Sequence, residues 1–179
     1  MKYLIVSDIH GSLPRLEKVL SFYESGSYDM LVLLGDILNY GPRNGVPEGL
    51  DGMGIVGRLN AMADRIVAVR GNCDSEVDQM LLTFPCLADY AILVAGEKKI
   101  FLTHGHLFSA DSLPFGYDVF ISGHTHLWSL GSKDGRIVCN TGSVTFPKEG
   151  RVPTFATLDE DGFLRVRSLE GETLDMCHI

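Results

Sequence analysis

The chain is 179 residues long, 45% hydrophobic and 21% charged, which fits one globular domain with a real core and excludes disorder or fibrous structure. Its formal net charge is −8, and the basic residues are scattered, with no run beyond Lys98-Lys99. Proteins that grip nucleic acid constitutively carry a basic patch, so stable nucleic-acid binding is not expected. For a hydrolase that argument is weaker, because bound divalent cations would supply positive potential where the substrate sits.

Cys73, Cys86, Cys139 and Cys177 show no C-x-x-C spacing, which reads as reduced thiols in a cytosolic protein. The apolar run before Asp8 is too short for a signal-peptide core or a membrane span, so a cytoplasmic location is expected.

Tyr3 to Val6 is a compact apolar run that predicts a buried strand. Ser12 is placed to cap a helix with Pro14 in its first turn; Leu13, Leu16, Leu20 and Tyr23 recur at helical spacing up to a stop near Gly26. Met30 to Leu34 predicts a second buried strand ending at Gly35-Asp36. Residues 39–54 are rich in Gly and Pro and predict an irregular loop. A helix is expected from Ile55 to Asp64, then a strand from Ile66 to Val69, then a short helix capped by Asp74 and running through Leu82.

After Pro85 the pattern turns to strands. Tyr90 to Val94 and Lys99 to Thr103 flank Gly96-Glu97 as a hairpin, and Val119 to Ser122 runs into Gly123-His124. Trp128 to Ser132 with Arg136 to Cys139, and Phe155 to Leu158 with Phe163 to Leu169, flank strong turn signals. Trp128 and the aromatic residues from Phe115 to Phe120 read as core. Two sheets with helices outside, in one layered α/β domain over residues 1–179, is the expected architecture.

Five of the six histidines fall at His10, His104-Gly105-His106 and His124-Thr125-His126. His10 and the two later clusters, together with Asp8, Asp36 and Asn72, lie just after predicted buried strands. Strand ends are where ligands gather in layered α/β proteins, because the sheet fixes the backbone while the loop exposes the side chain. Taken singly, each fragment has a plainer reading as a turn, a helix cap or an exposed polar pair. Five strand ends in order, each delivering an oxygen or imidazole donor, make a metal centre the better reading.

The order Asp8-x-His10, Gly35-Asp36, Gly71-Asn72, His104, Gly123-His124-x-His126 resembles the calcineurin-like metallophosphoesterase superfamily. Gly71-Asn72-Cys73-Asp74, the stretch from Gly35 to Asn44, and Asn140-Thr141-Gly142-Ser143 look like its YfcE-type bacterial phosphodiesterase branch. The resemblance implies a four-layer α/β/β/α sandwich with two divalent metals at the sheet edges. It assigns Asp8, His10 and His126 to one metal, Asn72, His104 and His124 to the other, and Asp36 as the bridge. A mixed oxygen and nitrogen donor set without thiolate suits Mn, which is favoured here, or Zn, Fe, Co or Ni.

Hydrolysis of a small phosphoester by water activated at the dinuclear centre is then expected, with no covalent phospho-enzyme. Cys73 stands where many members carry a His thought to protonate the leaving group. A thiol is a poorer donor, so diesters with acidic, aryl-type alcohols are the expected substrates; the plain alternative is that Cys73 only fills space. Thr141 replaces a proline common in the branch. His106 either faces the substrate or orients His104. The competing functions are a phosphomonoesterase of the same fold and a non-catalytic scaffold, like a eukaryotic trafficking subunit that has lost ligands. The branch also suggests a homo-oligomer.

Overall fold

The computed structural model describes residues 1–112 and 116–179. β1 (Tyr3–Val6) pairs in parallel with β2 (Met30–Leu33), and β2 with β3 (Ile66–Ala68). β1 and all but the first residue of β2 are buried, which is why they read as unbroken apolar runs rather than as alternation. On the other side of β1 the sheet continues antiparallel through β9 (Thr154–Leu158), β10 (Phe163–Ser168) and β11 (Thr173–His178). The second sheet has the order β4 (Tyr90–Ala95), β5 (Lys98–Thr103), β6 (Val119–Ser122), β8 (Arg136–Asn140), β7 (Ser129–Lys133), with β5, β6 and β8 parallel.

The sheets face one another. Ile5, Val32 and Leu34 of the first meet Ile100, Leu102 and Ile121 of the second, with Trp128 packed partly buried against them. The opposite face of the first sheet, through Leu4, Val6, Leu31 and Leu33, takes Leu16 and Leu20 of α1 (Leu13–Ser25) and Ile55 and Leu59 of α2 (Gly52–Asn60). Each such leucine or isoleucine contributes roughly 1.5–3 kcal/mol by leaving water. The outer face of the second sheet is covered by Phe101, Tyr117 and Phe120, with Phe108 and Ala110 packed on them. The layered α/β sandwich is therefore the expected one. Among the described residues its fourth layer consists of the non-helical segments around Phe108 and Tyr117. Phe115, expected as core, lies outside the described residues.

Local differences have local causes. α2 starts at Gly52, three residues before the expected Ile55, because the Asp51 side chain accepts from Gly54 N–H at 2.8 Å and caps it. It ends at Asn60, and Ala63–Arg65 is a separate 3₁₀ turn. Asp74 does not cap α3 (Glu76–Leu81); Ser75 does, in a reciprocal capping box with Asp78. Ser12 occupies the cap position of α1, but its hydroxyl donates to Glu48 O at 2.7 Å and ties the helix start to the long loop. β11 carries only faint alternation and was not expected; it is an edge strand with Thr173, Asp175 and Met176 exposed. Thr141 donates its backbone N–H to Ser122 O at 2.8 Å, a bond a proline there could not make. No helix among the described residues is long and apolar enough to cross a membrane.

Candidate metal centre

The parallel strands of both sheets end at one edge. Asp8, Asp36 and Asn72 follow β1, β2 and β3, while His104 and His124 follow β5 and β6. Hydrogen bonds between the sheets fix the two rows of ends. His104 Nδ1 donates to Leu34 O at 2.7 Å, and His124 N–H donates to Asp8 Oδ2 at 3.0 Å. Two glycines permit the convergence. A Cβ at Gly71 would collide with the Asp36 carboxylate and backbone, and one at Gly123 with the Ser7 hydroxyl. This is the physical content of the Gly-Asn and Gly-His pairs.

Five of the seven expected ligands have backbones in the left-handed region: φ is 60° at Asp8, 51° at His10, 54° at Asp36, 67° at His124 and 62° at His126. Such angles are uncommon outside glycine and gather at functional sites, where the surrounding fold enforces them. Here they turn each side chain back toward the cleft.

The centre's floor is a cluster of lone pairs. His10 Nδ1 lies 2.8 Å from Asn39 O and His126 Nδ1 2.8 Å from Phe146 O. A carbonyl only accepts, so each Nδ1 carries the hydrogen and each Nε2 is left as a bare donor of electrons. Those two Nε2 atoms are 3.3 Å apart. Asp8 Oδ1 lies 3.0 Å from His126 Nε2 and 3.4 Å from His10 Nε2, yet it is buried and receives no hydrogen bond. Only a cation, or protons in its place, satisfies that arrangement, so these residues fit a bound metal.

Asp36 Oδ2 continues the cluster, 3.7 Å from His10 Nε2 and 3.5 Å from His104 Nε2. It therefore stands between the Asp8–His10–His126 group and a second group around His104. His104 Nε2 lies 3.1 Å from Asn72 Oδ1, and the His124 ring is 5.0 Å from the His104 ring. All seven expected ligands meet at this edge.

A family model for the calcineurin-like phosphoesterase superfamily domain matches residues 1–162. The chain belongs to that superfamily. The phosphodiesterase YfcE of Escherichia coli K12 is 48% identical over 164 residues, 90% of this chain and 89% of that protein. The solved structure of E. coli YfcE superposes with a TM-score of 0.95 at 44% identity, covering 100% of both chains. A zinc complex of Vps29 from Entamoeba histolytica, at 20% identity and a TM-score of 0.63 over 99% and 98% of the two chains, shares the fold. The chain is thus a metal-dependent phosphoester hydrolase of the YfcE-type branch.

The electrostatics of this phosphoesterase are those of a site that holds charge against burial. Burial opposes ionisation of Asp8, but the adjoining His10 and His126 outweigh it and hold its carboxyl far below the usual range. Asp36 is lowered in the same way, burial being outweighed by His104 and by the Cys73 N–H, which donates to Asp36 Oδ1 at 2.8 Å. Burial works against a charged His104, yet Asp36 beside it and the charge of Asp8 push its pKa up to about 9. His124 is lowered, by burial first and then by His104.

Cys73 lies beside the centre, its sulfur grouped with His10 and Asp36. Burial, reinforced by the charge of Asp36, pushes its thiol up to about 12, so it stays protonated at neutral pH. His106 packs its ring against His104 at 5.3 Å and His124 at 6.1 Å, and its pKa is lowered by burial and by both rings.

Several supporting residues escaped the sequence reading. The Asp74 carboxylate accepts from the backbone N–H groups of Asp36 (2.8 Å), Ile37 (2.9 Å) and Gly71 (2.7 Å), stapling the ends of β2 and β3 together. Ser7 Oγ donates to Asp8 Oδ2 at 2.6 Å, leaving Oδ1 for the cation. Asn140 Nδ2 donates to Gly123 O at 2.7 Å, and Ser143 Oγ to Asp8 O at 3.0 Å. Asn140 and Ser143 sat within a recognised stretch, but nothing in their spacing announced these partners.

Proposed function

We propose that this protein is a dinuclear phosphodiesterase acting on small phosphodiesters with acidic, aryl-type alcohols, as one domain over residues 1–179. The observation that carries the reading is the buried group of bare Nε2 atoms and the unpartnered Asp8 Oδ1, next to a cavity lined by Asp36, Asn72, His124 and His126. Asp8, His10 and His126 would hold one divalent ion, Asn72, His104 and His124 the other, with Asp36 shared. Two such ions supply an activated water, orientation of the phosphorus and neutralisation of the departing oxygen.

The chain's own residues do the rest. The Nδ1–H bonds to Asn39, Leu34 and Phe146 hold three imidazoles with Nε2 forward. Asp36, fixed by Cys73 N–H, keeps one oxygen between the two groups. Cys73, a half-buried thiol that lines the cavity, is a weak proton donor, which favours leaving groups needing no protonation. The name of the E. coli relative supports the diester reading. Mn as the native metal, a cytoplasmic location and self-association through an open edge strand belong to the same proposal.

The test is a metal analysis of the purified protein, then a panel of aryl and alkyl mono- and diesters with each divalent metal restored separately. Hydrolysis of an aryl diester well above the matching monoester is the expected result. Faster monoester turnover would make it a phosphomonoesterase, and no turnover with any metal in a folded protein would leave a scaffold.

A further inference from the structure

The cavity over the metal centre, about 640 Å³, has two cationic side chains in its walls, Arg43 and Lys148. They come from different loops, one between β2 and α2 and the other between β8 and β9. Among the described residues, neither side chain has a hydrogen bond or an ion pair. Lys18, Arg65, Lys98, Lys99 and Arg136 also lack a carboxylate partner, but Arg43 and Lys148 are the two that line the cavity, both with exposed side chains. Arg15, Arg58, Arg70, Lys133 and Arg165 each have a carboxylate partner.

Both loops are held against the centre. Asn44 Nδ2 donates to Tyr40 O at 2.7 Å across the first loop. Gly41, at φ 70°, lies so near Cys73 that an added Cβ would stand 2.8 Å from the sulfur. Lys148 N–H donates to His126 O at 3.2 Å, and Arg151 N–H to Lys148 O at 3.1 Å. The two cations are therefore carried on backbone already fixed to ligand-bearing segments, which lowers the ordering cost of using them.

A diester with a neutral second alcohol brings one negative charge, which the metal centre itself would meet. Two further cations in the same walls, free of any carboxylate partner, are available to pair with a second negative group. We infer that Arg43 and Lys148 form an anion subsite beside the metal centre, so that this enzyme's own substrate is a phosphodiester whose non-leaving alcohol carries a further carboxylate or phosphate. The inference rests on the phosphodiesterase reading above and specifies its substrate class.

The test compares two p-nitrophenyl diesters on the Mn-loaded protein, one with a 4-carboxybutyl arm and one with a pentyl arm. The quantity read is the ratio of their kcat/KM values within each protein, so a general loss in a variant cancels. The native ratio should favour the carboxylate by about tenfold at low salt, carried in KM, and shrink as salt is added. Arg43→Gln and Lys148→Gln should each cut the ratio by roughly threefold, while Arg43→Lys retains most of it. A phosphate-terminated arm in a third ester separates the two anion sources.

A native ratio near one overturns the subsite. So does a proportional loss on both esters, which would assign the cations to the scissile phosphate. Failure of the hydrolytic reading looks different, since neither ester is then cleaved. Calorimetric titration with the corresponding dialkyl phosphates still decides the subsite in that case, by whether the carboxylate arm binds more tightly through Arg43 and Lys148.

Discussion

The Nε2 atoms of His10 and His126 face each other at 3.3 Å, each ring having its Nδ1 hydrogen directed at a backbone carbonyl. Two lone pairs at that separation repel unless something positive lies between them.

Metal and pH are therefore linked. In the chelated protein protons must do what cations would do. A base whose pKa is raised on folding stabilises the fold below its unfolded value and loses that contribution as pH rises through its folded value. For His104 that window runs from 6.5 to about 9. Thermal stability of the chelated protein should fall across it. Mn(II) should restore it, by about 5–10 °C at roughly a hundred times Kd, with the larger gain at the alkaline end. A melting temperature that ignores both pH and metal would remove the cation from this site.

Asp36→Asn tests the shared carboxylate. An amide keeps the shape and removes the charge between the His10 and His104 groups. Activity should vanish, and metal content should drop below that of His126→Ala, which removes one ligand from one group. Elemental analysis of both variants decides it. Two tightly held metals and near-normal turnover in Asp36→Asn would move the sharing elsewhere.

Asp74 touches no expected ligand side chain, yet its loss should be severe. Asp74→Ala strands three backbone N–H groups in a buried turn, at about 1–3 kcal/mol each. Urea denaturation should show at least about 3 kcal/mol lost, with Asn, which keeps one oxygen, falling between. A loss under about 1 kcal/mol for Ala would mean that water replaces the carboxylate.

Cys73→His tests the leaving-group argument. Imidazole titrates near 6.5, whereas burial and Asp36 push this thiol up to about 12, so the variant gains a competent acid beside the cavity. General acid assistance of roughly 10²–10⁴-fold should appear on alkyl diesters and little of it on aryl ones. Rates across diesters of graded leaving-group pKa, at fixed metal loading, give the slope for each protein. Parallel slopes would reduce Cys73 to packing.

The convergence of the candidate donors was legible because buried strands leave apolar runs, and Asp8, Asp36, Asn72, His104 and His124 interrupt the chain just beyond them. What failed was non-local. Asp74 stands before a helix and reads as a cap, but its true partners include Asp36 and Ile37, more than thirty positions away, and the cap passes to Ser75. Residues 173–178 carry too little apolar alternation to announce an edge strand, which the bulged pairing with β10 supplies. Arg43 and Lys148 lie on separate loops, and only the folded chain brings both to one cavity.

The left-handed backbones at Asp8, His10, Asp36, His124 and His126 set two effects against each other. Each costs the fold roughly 1 kcal/mol, which a glycine at the same position would relieve. Glycine would, however, also remove the buried side chains of Asp8, His10, Asp36 and His126, which bond His124 N–H, Asn39 O, Cys73 N–H and Phe146 O. The strained backbones are thus locked in by bonds the donors themselves make, so that losing a donor would loosen the loops that present the others.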